Sequence, residues 1–351
     1  MEEKLKFDFK IMQQVINLIG VIDAFRGKWA VIEKKENRYL KQLRHIATIE
    51  SIGSSTRIEG ATLTDEEVEK LLQSVKMTKL KSRDEQEVVG YYEVLDLILE
   101  SYPDIQLTEN YIKQLHGILL RQSTKDNRHR GEYKSLSNQV VANYPGGEQS
   151  IIFRTTEPHL VKKEMEELID WTNREFGEKE LHPMLVIGVF VYEFLSIHPF
   201  QDGNGRLSRL LTTLLLLKYE YHFIQYVSFE HLIEERKKVY YKALMAGQKN
   251  RYKKEEKIDQ WIIFFLECVS ALTGKLEQKY IEYSEKKAYL NQRQEKILAV
   301  IKEYAPVKFS DIVKALPDFS PNTIKKDLAY LVAHKAIEKT GARKGTIYTN
   351  S

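Results

Sequence analysis

The sequence predicts a mainly α-helical protein with one small β-hairpin and a C-terminal winged helix-turn-helix domain. Three observations carry this. Apolar residues recur at helical spacing along most of the chain. The pattern breaks at residues 137–153, "SNQVVANYPGGEQSIIF", where two short strand-like runs flank Tyr144-Pro145-Gly146-Gly147, a hairpin signal. Residues 291–351 then read as three helices ("QEKILAVIKEY", "SDIVKAL", "SPNTIKKDLAYLVAHK") followed by two short strands around a Gly-Ala-Arg-Lys-Gly loop. In that tail the third helix is the expected recognition helix and the hairpin the wing.

The elements follow in order. Residues 4–58 read as one or two helices. Thr64, with Asp65, Glu66 and Glu67 behind it, is an N-cap with acids in the first turn. Residues 84–102 form a long amphipathic helix stopped by Pro103, and Thr108 caps the next. After the hairpin, Thr156 is the expected cap of "EPHLVKKEMEELIDWTNREF". The stretch "PMLVIGVFVYEFLSI" is apolar on all sides, which predicts a central helix buried by its neighbours. Three more helical runs follow: "LSRLLTTLLLLKYEY", "EHLIEERKKVYYKALMAGQ" and the long one beginning at Ile258. The division read from this is an N-terminal helical region 1–100, a core 101–265, a helical connection 266–290 and the tail domain 291–351.

Composition narrows the function classes. Residues 285–351 hold 13 Lys/Arg against 7 Asp/Glu, so the basic excess of a chain with net charge +4 sits in the tail. A single cysteine, Cys268, excludes an intrachain disulfide and a cysteine-rich zinc site, and its apolar helical setting reads as core, not nucleophile. The charged N-terminus lacks the apolar segment of a signal peptide. The run Met184 to Ile197 is too short to span a bilayer and contains Glu193. These features predict a soluble, cytoplasmic protein with no membrane contact.

The buried helix runs into "HPFQDGNGRLSR", residues 198–209, which is far denser in polar groups than a turn requires. Gly203 and Gly205 permit positive φ, so successive N–H groups can form an anion-binding nest. The following helix adds its N-terminal N–H groups and dipole. Arg206 and Arg209 share a helix face and can clamp phosphates. Asp202 is a hard oxygen ligand suited to a Mg²⁺ that bridges phosphates. His198, at the end of a rigid helix, can take a proton from an incoming hydroxyl. Such a set fits nucleotidyl or phosphoryl transfer. Each residue alone also has a bland reading, such as a helix-end cap for the histidine. The Asp-Gly-Asn-Gly run also resembles a calcium loop, but that register puts Phe200 and Leu211 where carboxylates are required.

At every defined position the segment matches H-x-F-x-[DE]-G-N-G-R-x-x-R, so the chain resembles the Fic family over roughly residues 45–265. The resemblance implies a helical bundle whose motif loop binds ATP with Mg²⁺ and transfers AMP to a Ser, Thr or Tyr hydroxyl of a target protein. It implies His198 as general base, Phe200 as loop anchor and Asp202 as metal ligand. Gly203, Asn204 and Gly205 would bind the α- and β-phosphates, Arg206 the β-phosphate region and Arg209 the γ-phosphate. "STRIEG", Ser55 to Gly60, fits the family's inhibitory pattern [ST]-x-x-x-E-[GN], so Glu59 would pair with Arg209 and block productive ATP binding. Its bland reading is a helix ending at Glu-Gly. Tyr240 and Tyr241 match a tyrosine pair that lines the adenine pocket in relatives, with Gln248 where they carry asparagine. The hairpin 137–153 would be a flap that docks the target by strand addition, through Ile151, Ile152 and Phe153.

Within the same site, self-modification and AMP removal are further expectations of the resemblance; a homodimer is a further expectation, since winged helices commonly serve as dimer modules. A reading from a different class is a DNA-binding regulator that uses the winged helix for contact with DNA, or with protein, and the loop as a nucleotide sensor.

Overall fold

The computed structural model describes residues 2–34, 38–74, 80–123, 125–143, 149–285, 291–333, 336–341 and 346–350. The chain forms two compact units, Met1–Leu276 and Glu277–Ser351. The regions read as 1–100 and 101–265 lie together in the first.

The first unit is helical because its apolar stripes can be buried only against one another. Helix α1 (Phe9–Glu33) is capped by Asp8, whose carboxylate accepts the Ile11 N–H at 2.9 Å. Helix α2 (Arg38–Glu59) ends where Gly60 takes a φ of 111°. Helix α3 (Asp65–Ser74) opens on a reciprocal Thr64–Glu67 cap. Helix α4 (Arg83–Ser101) opens on a Ser82–Glu85 capping box, and α5 (Glu109–Leu119) on Thr108. Strands β1 (Gln139–Asn143) and β2 (Gln149–Arg154) form the hairpin, antiparallel, with a bulge at Val140/Val141. The turn expected at 144–147 lies outside the described residues.

Helix α6 (Pro158–Glu178) departs from expectation at its start. Glu157 is the N-cap residue and Pro158 begins the helix, while the Thr156 hydroxyl donates instead to Glu164 at 2.8 Å. Proline at the first helical position makes a side-chain cap dispensable there, since the missing N–H is one of the unpaired set. Helix α7 (Pro183–Ile197) is buried on all sides except near its first residue, as its composition predicts. It packs on α6 and on α8 (Asn204–Lys218). Helices α9 (Phe229–Glu235), α10 (Lys237–Gln248) and α11 (Asp259–Glu285) complete the unit. Gly188 lets α11 approach α7 closely: a Cβ there would lie 2.9 Å from the Ile262 side chain, and Trp261 donates to the Gly188 carbonyl at 2.8 Å. Cys268 is buried in α11, and burial pushes its thiol up to about 11, so it is core as expected.

In the second unit, α12 (Gln292–Tyr304), α13 (Phe309–Ala315) and α14 (Pro321–Ala333) pack around Ile297, Ile301, Ile312, Ile324, Leu328 and Leu331. Three antiparallel strands, β3 (Val307–Lys308), β4 (Ile337–Thr340) and β5 (Ile347–Asn350), form a sheet in the order β3-β5-β4. The two-residue β3 escaped the sequence reading because it is shorter than any period can mark. The loop expected at the hairpin tip, 342–345, and residues 286–290 of the expected connection lie outside the described residues. Among the described residues no helix is long and apolar enough to cross a membrane.

Candidate active site

The site begins where α7 stops. His198 takes a left-handed conformation, φ 53°, as the C-cap of α7, and its N–H donates to the Phe194 carbonyl at 2.9 Å. Its Nδ1 lies 3.4 Å from the Leu195 carbonyl. A carbonyl only accepts, so this contact places the proton on Nδ1 and leaves Nε2 as the free base. Burial, followed by the Lys134 charge, lowers the imidazole pKa to about 4, so the ring is neutral at pH 7.

The loop after it is closed from within. Asn204 accepts the Phe200 N–H and donates to the Phe200 carbonyl, both at 2.8 Å. One of its two amide N–H groups and its amide oxygen thus close the loop, which leaves the second amide N–H and the backbone N–H for an anion. Phe200 is fully buried and stacks on His116, centroids 3.8 Å apart and planes at 10°. His116 Nδ1 accepts the Gly131 N–H at 2.8 Å, so Nε2 carries the proton and donates to the Asp202 carbonyl at 3.0 Å. Burial lowers the His116 pKa to about 4, consistent with that neutral form. We expect Phe200→Ala to lower stability by about 3–5 kcal/mol, read from urea unfolding. A loss under about 1 kcal/mol would show that the loop is anchored elsewhere.

The two glycines do different work. Gly203 has a φ of 78°, as expected of a nest, but Gly205 is already helical and needs no left-handed freedom. What Gly205 supplies is room: a Cβ there would meet Glu59 Oε1 at 2.2 Å. The Glu59 carboxylate thus lies over the start of α8. Arg209, buried, donates to it through Nη2 at 2.8 Å, to Ser55 Oγ through Nε at 2.8 Å and to the Ser55 carbonyl through Nη2 at 2.9 Å. The carboxylate is disfavoured by the C-terminus of its own helix α2, but the N-terminus of α8 and the Arg209 guanidinium both attract it. Behind it, Lys237 donates to the Ile58 carbonyl at 2.7 Å, and Arg57 grips both Glu234 oxygens at 2.8 and 3.0 Å.

Asp202 is held below the usual carboxylate range: burial opposes this, but Arg206, the Gly203 N–H and Arg83 outweigh it. Its Oδ1 accepts from Gly203 at 2.6 Å and Arg206 at 3.2 Å, and its Oδ2 from Arg83 at 3.1 Å. Arg206 is also 3.3 Å from Glu87.

Part of this set surrounds a cavity of about 220 Å³, which Arg206, turned to Asp202 and Glu87, does not line. Glu59, Phe153, His198, Asp202, Gly203, Asn204, Gly205, Arg209, Tyr240 and Tyr241 all line it. Tyr240 and Tyr241 are buried and meet edge to face at 5.2 Å. Gln248 does not reach it: its amide donates to Tyr192 at 3.1 Å and Ser196 at 2.5 Å, one helical turn back along α7. Of the flap residues, Phe153 is buried against the cavity opposite Val140, Ile152 is half-buried, and the Ile151 side chain lies outside the described residues.

Residues 106–216 match the Fic/DOC family. The chain carries a Fic domain. It is similar to Protein adenylyltransferase Fic of Drosophila willistoni, 30% identical over 205 residues, 58% of this chain and 38% of that protein. Similarity to the Drosophila melanogaster protein of the same name is 29% over 202 residues, 57% and 38% of the two chains. The chain therefore spans well under half the length of these curated relatives. Its fold resembles a Fic family protein from Desulfovibrio desulfuricans over 96% of each chain, with TM-score 0.68 and 22% identity. A Fic-domain-containing signaling protein from Bacteroides thetaiotaomicron is matched over 72% of this chain and 94% of its own, with TM-score 0.58 and 24% identity.

Within the Fic domain the metal question turns on Asp202. Among the described residues no cluster of three His, Cys, Asp or Glu could hold an ion. One carboxylate at the cavity wall fits Mg²⁺ carried by a triphosphate, which needs only one or two protein carboxylates. Outside the motif, His116, Lys134, Arg83, Glu87 and Lys237 shape the site. None carries a local sequence signal, because each reaches it from a distant element.

Proposed function

We propose that this chain transfers AMP from ATP to a Ser, Thr or Tyr hydroxyl of a target protein, and that Glu59 holds it in check. The observation that carries the reading is one cavity in which a neutral His198, a helix N-terminus and Arg209 converge, with the Glu59 carboxylate on that arginine. His198 is the base that takes the hydroxyl proton as oxygen attacks the α-phosphorus and pyrophosphate leaves. The Gly203–Gly205 N–H groups and the α8 dipole receive the phosphates, and Arg209, once released, orients the γ-phosphate. Asp202 would hold the Mg²⁺, which supplies charge neutralisation of the phosphates when bound. Tyr240 and Tyr241 form the apolar wall for the base. The names of the relatives favour this over a DNA-binding regulator. The test is wild type and Glu59→Gly with α-labelled ATP and Mg²⁺, followed by peptide mapping of the modified residue. No label on any protein, this chain included, would refute the reading.

The motif, the inhibitory helix and the hairpin all precede residue 285, and the tail has a core of its own. A chain stopped near 285 should therefore stay folded and helical and bind ATP as the full chain does. Calorimetry with ATP checks this. A soluble, helical but non-binding truncation would assign part of the site to the tail.

A further inference from the structure

Lys134 is almost fully buried, 3% exposed, and among the described residues no carboxylate accepts a hydrogen bond from it. Its ammonium has three N–H groups, and each has an acceptor on a different segment. These are the Ile197 carbonyl at 3.1 Å, Thr155 Oγ at 2.7 Å and Asn138 Oδ1 at 2.8 Å. Ile197 is the last residue of α7 and precedes His198. Asn138 and Thr155 are the residues immediately outside the two strands of the hairpin.

The surrounding bonds repeat the theme. The Lys134 N–H donates to the Pro199 carbonyl at 2.9 Å, the Asn138 amide to the Phe200 carbonyl at 2.9 Å, and the Thr156 N–H to the Ser196 carbonyl at 3.4 Å. The carbonyls of Ser196, Ile197, Pro199 and Phe200, two on each side of His198, are thus all bound by groups at the base of the hairpin. Burying an ammonium against neutral acceptors costs free energy, and so does any loss of one of those acceptors.

We infer that Lys134 is a positioning residue: its buried ammonium ties both legs of the hairpin to the backbone that carries His198, so the hairpin sets the placement of that imidazole. The inference rests on the reading of His198 as the base in AMP transfer. The groups facing Lys134 are His198, Glu157 and Glu164, and those facing His198 are Lys134, Glu59 and Asp202. Burial lowers the Lys134 pKa to about 8, the two glutamates offsetting part of that, so it is still mostly charged at pH 7. Its charge in turn is the largest influence after burial that keeps His198 neutral.

The test uses the full chain with Glu59→Gly, alone and combined with Lys134→Met or Lys134→Arg. It has two readouts: label transfer at saturating ATP, and titration of the His198 ring by NMR. For Lys134→Met we expect transfer to fall roughly 10²-fold, the effect of a misplacement of about 1 Å, with ATP affinity unchanged. The His198 midpoint should rise toward the ordinary imidazole value, because a nearby cation has gone. For Lys134→Arg the charge remains, so the midpoint should stay low, while the planar fork cannot serve the same three acceptors and transfer should still fall. An unmoved His198 midpoint and undiminished transfer in Lys134→Met would overturn the inference. If that variant does not fold, undiminished transfer by Lys134→Arg overturns it. Absence of transfer from every variant, Glu59→Gly included, refutes the transfer reading instead; the His198 titration still reports whether the Lys134 ammonium holds its place beside the ring.

Discussion

His198→Ala should abolish AMP transfer and leave ATP binding nearly intact. The imidazole offers Nε2 as a lone pair, fixed by the Nδ1 contact to Leu195, and it sits at the rim of the phosphate nest and not within it. No hydrogen bond of the loop's closure runs through its side chain. Asn204, His116 and Lys134 provide those bonds, so the nest should survive the substitution. Loss of a positioned base costs roughly 10²–10⁴-fold in rate. Calorimetry of ATP binding beside label transfer in the Glu59→Gly background separates the two effects. Near-parental incorporation would remove His198 from the mechanism. The same ring has a pH signature. Its folded pKa is depressed, so its neutral form favours folding fully above the ordinary value of 6.5. That contribution is lost as pH falls from there through about 4. His198→Ala should accordingly lessen the loss of stability between pH 6.5 and 4; His116, lowered for the same reason, keeps its share.

Glu59→Gly should raise AMP transfer, self-modification included. The carboxylate accepts from Arg209 at 2.8 Å and lies where a Cβ on Gly205 would be, directly above the first turn of α8. A triphosphate entering the nest meets that negative charge and finds the arginine already engaged. With the carboxylate gone, Arg209 keeps its two bonds to Ser55 and so stays aimed into the cavity. Because a misalignment of about 1 Å costs on the order of 10²-fold, its relief should be of that size. Arg209→Ala placed on Glu59→Gly should then suppress the gain. The measurement is incorporation from α-labelled ATP by wild type and the single and double variants. Equal incorporation by wild type and Glu59→Gly, with saturating ATP and a competent acceptor present, would sink the claim of autoinhibition.

Much of this was legible in the chain because it is local. Helices α3, α4 and α5 announce themselves through Thr64, Pro103 and Thr108, and α7 through a composition no surface helix could carry. The loop was legible for the opposite reason: its residues fit no purely structural need. The differences share a cause, which is that spacing does not show direction. The spacing of Gly205 points to its φ, yet it matters for the space it leaves to a side chain more than a hundred residues earlier. Gln248 shares a helix with the tyrosine pair, yet its amide turns toward Tyr192 and Ser196. Thr156 looked like a cap until Pro158 made one unnecessary. Lys134 gave no sign at all, since a lysine in a charged stretch reads as solvated until the fold encloses it.

The helix that bears Glu59 is no lid. Ile52, Ser54, Ser55, Thr56 and Ile58 of α2 are all at most 1% exposed, so α2 is part of the core. Glu59 itself keeps a third of its side chain in solvent. Releasing Arg209 therefore calls for the breaking of one ion pair and the turning of one side chain about its own bonds, and not for the departure of a helix. On the proposed reading the brake would then behave as a local equilibrium: with no refractory period and no memory of an earlier signal, its setting would reflect only what competes for one guanidinium.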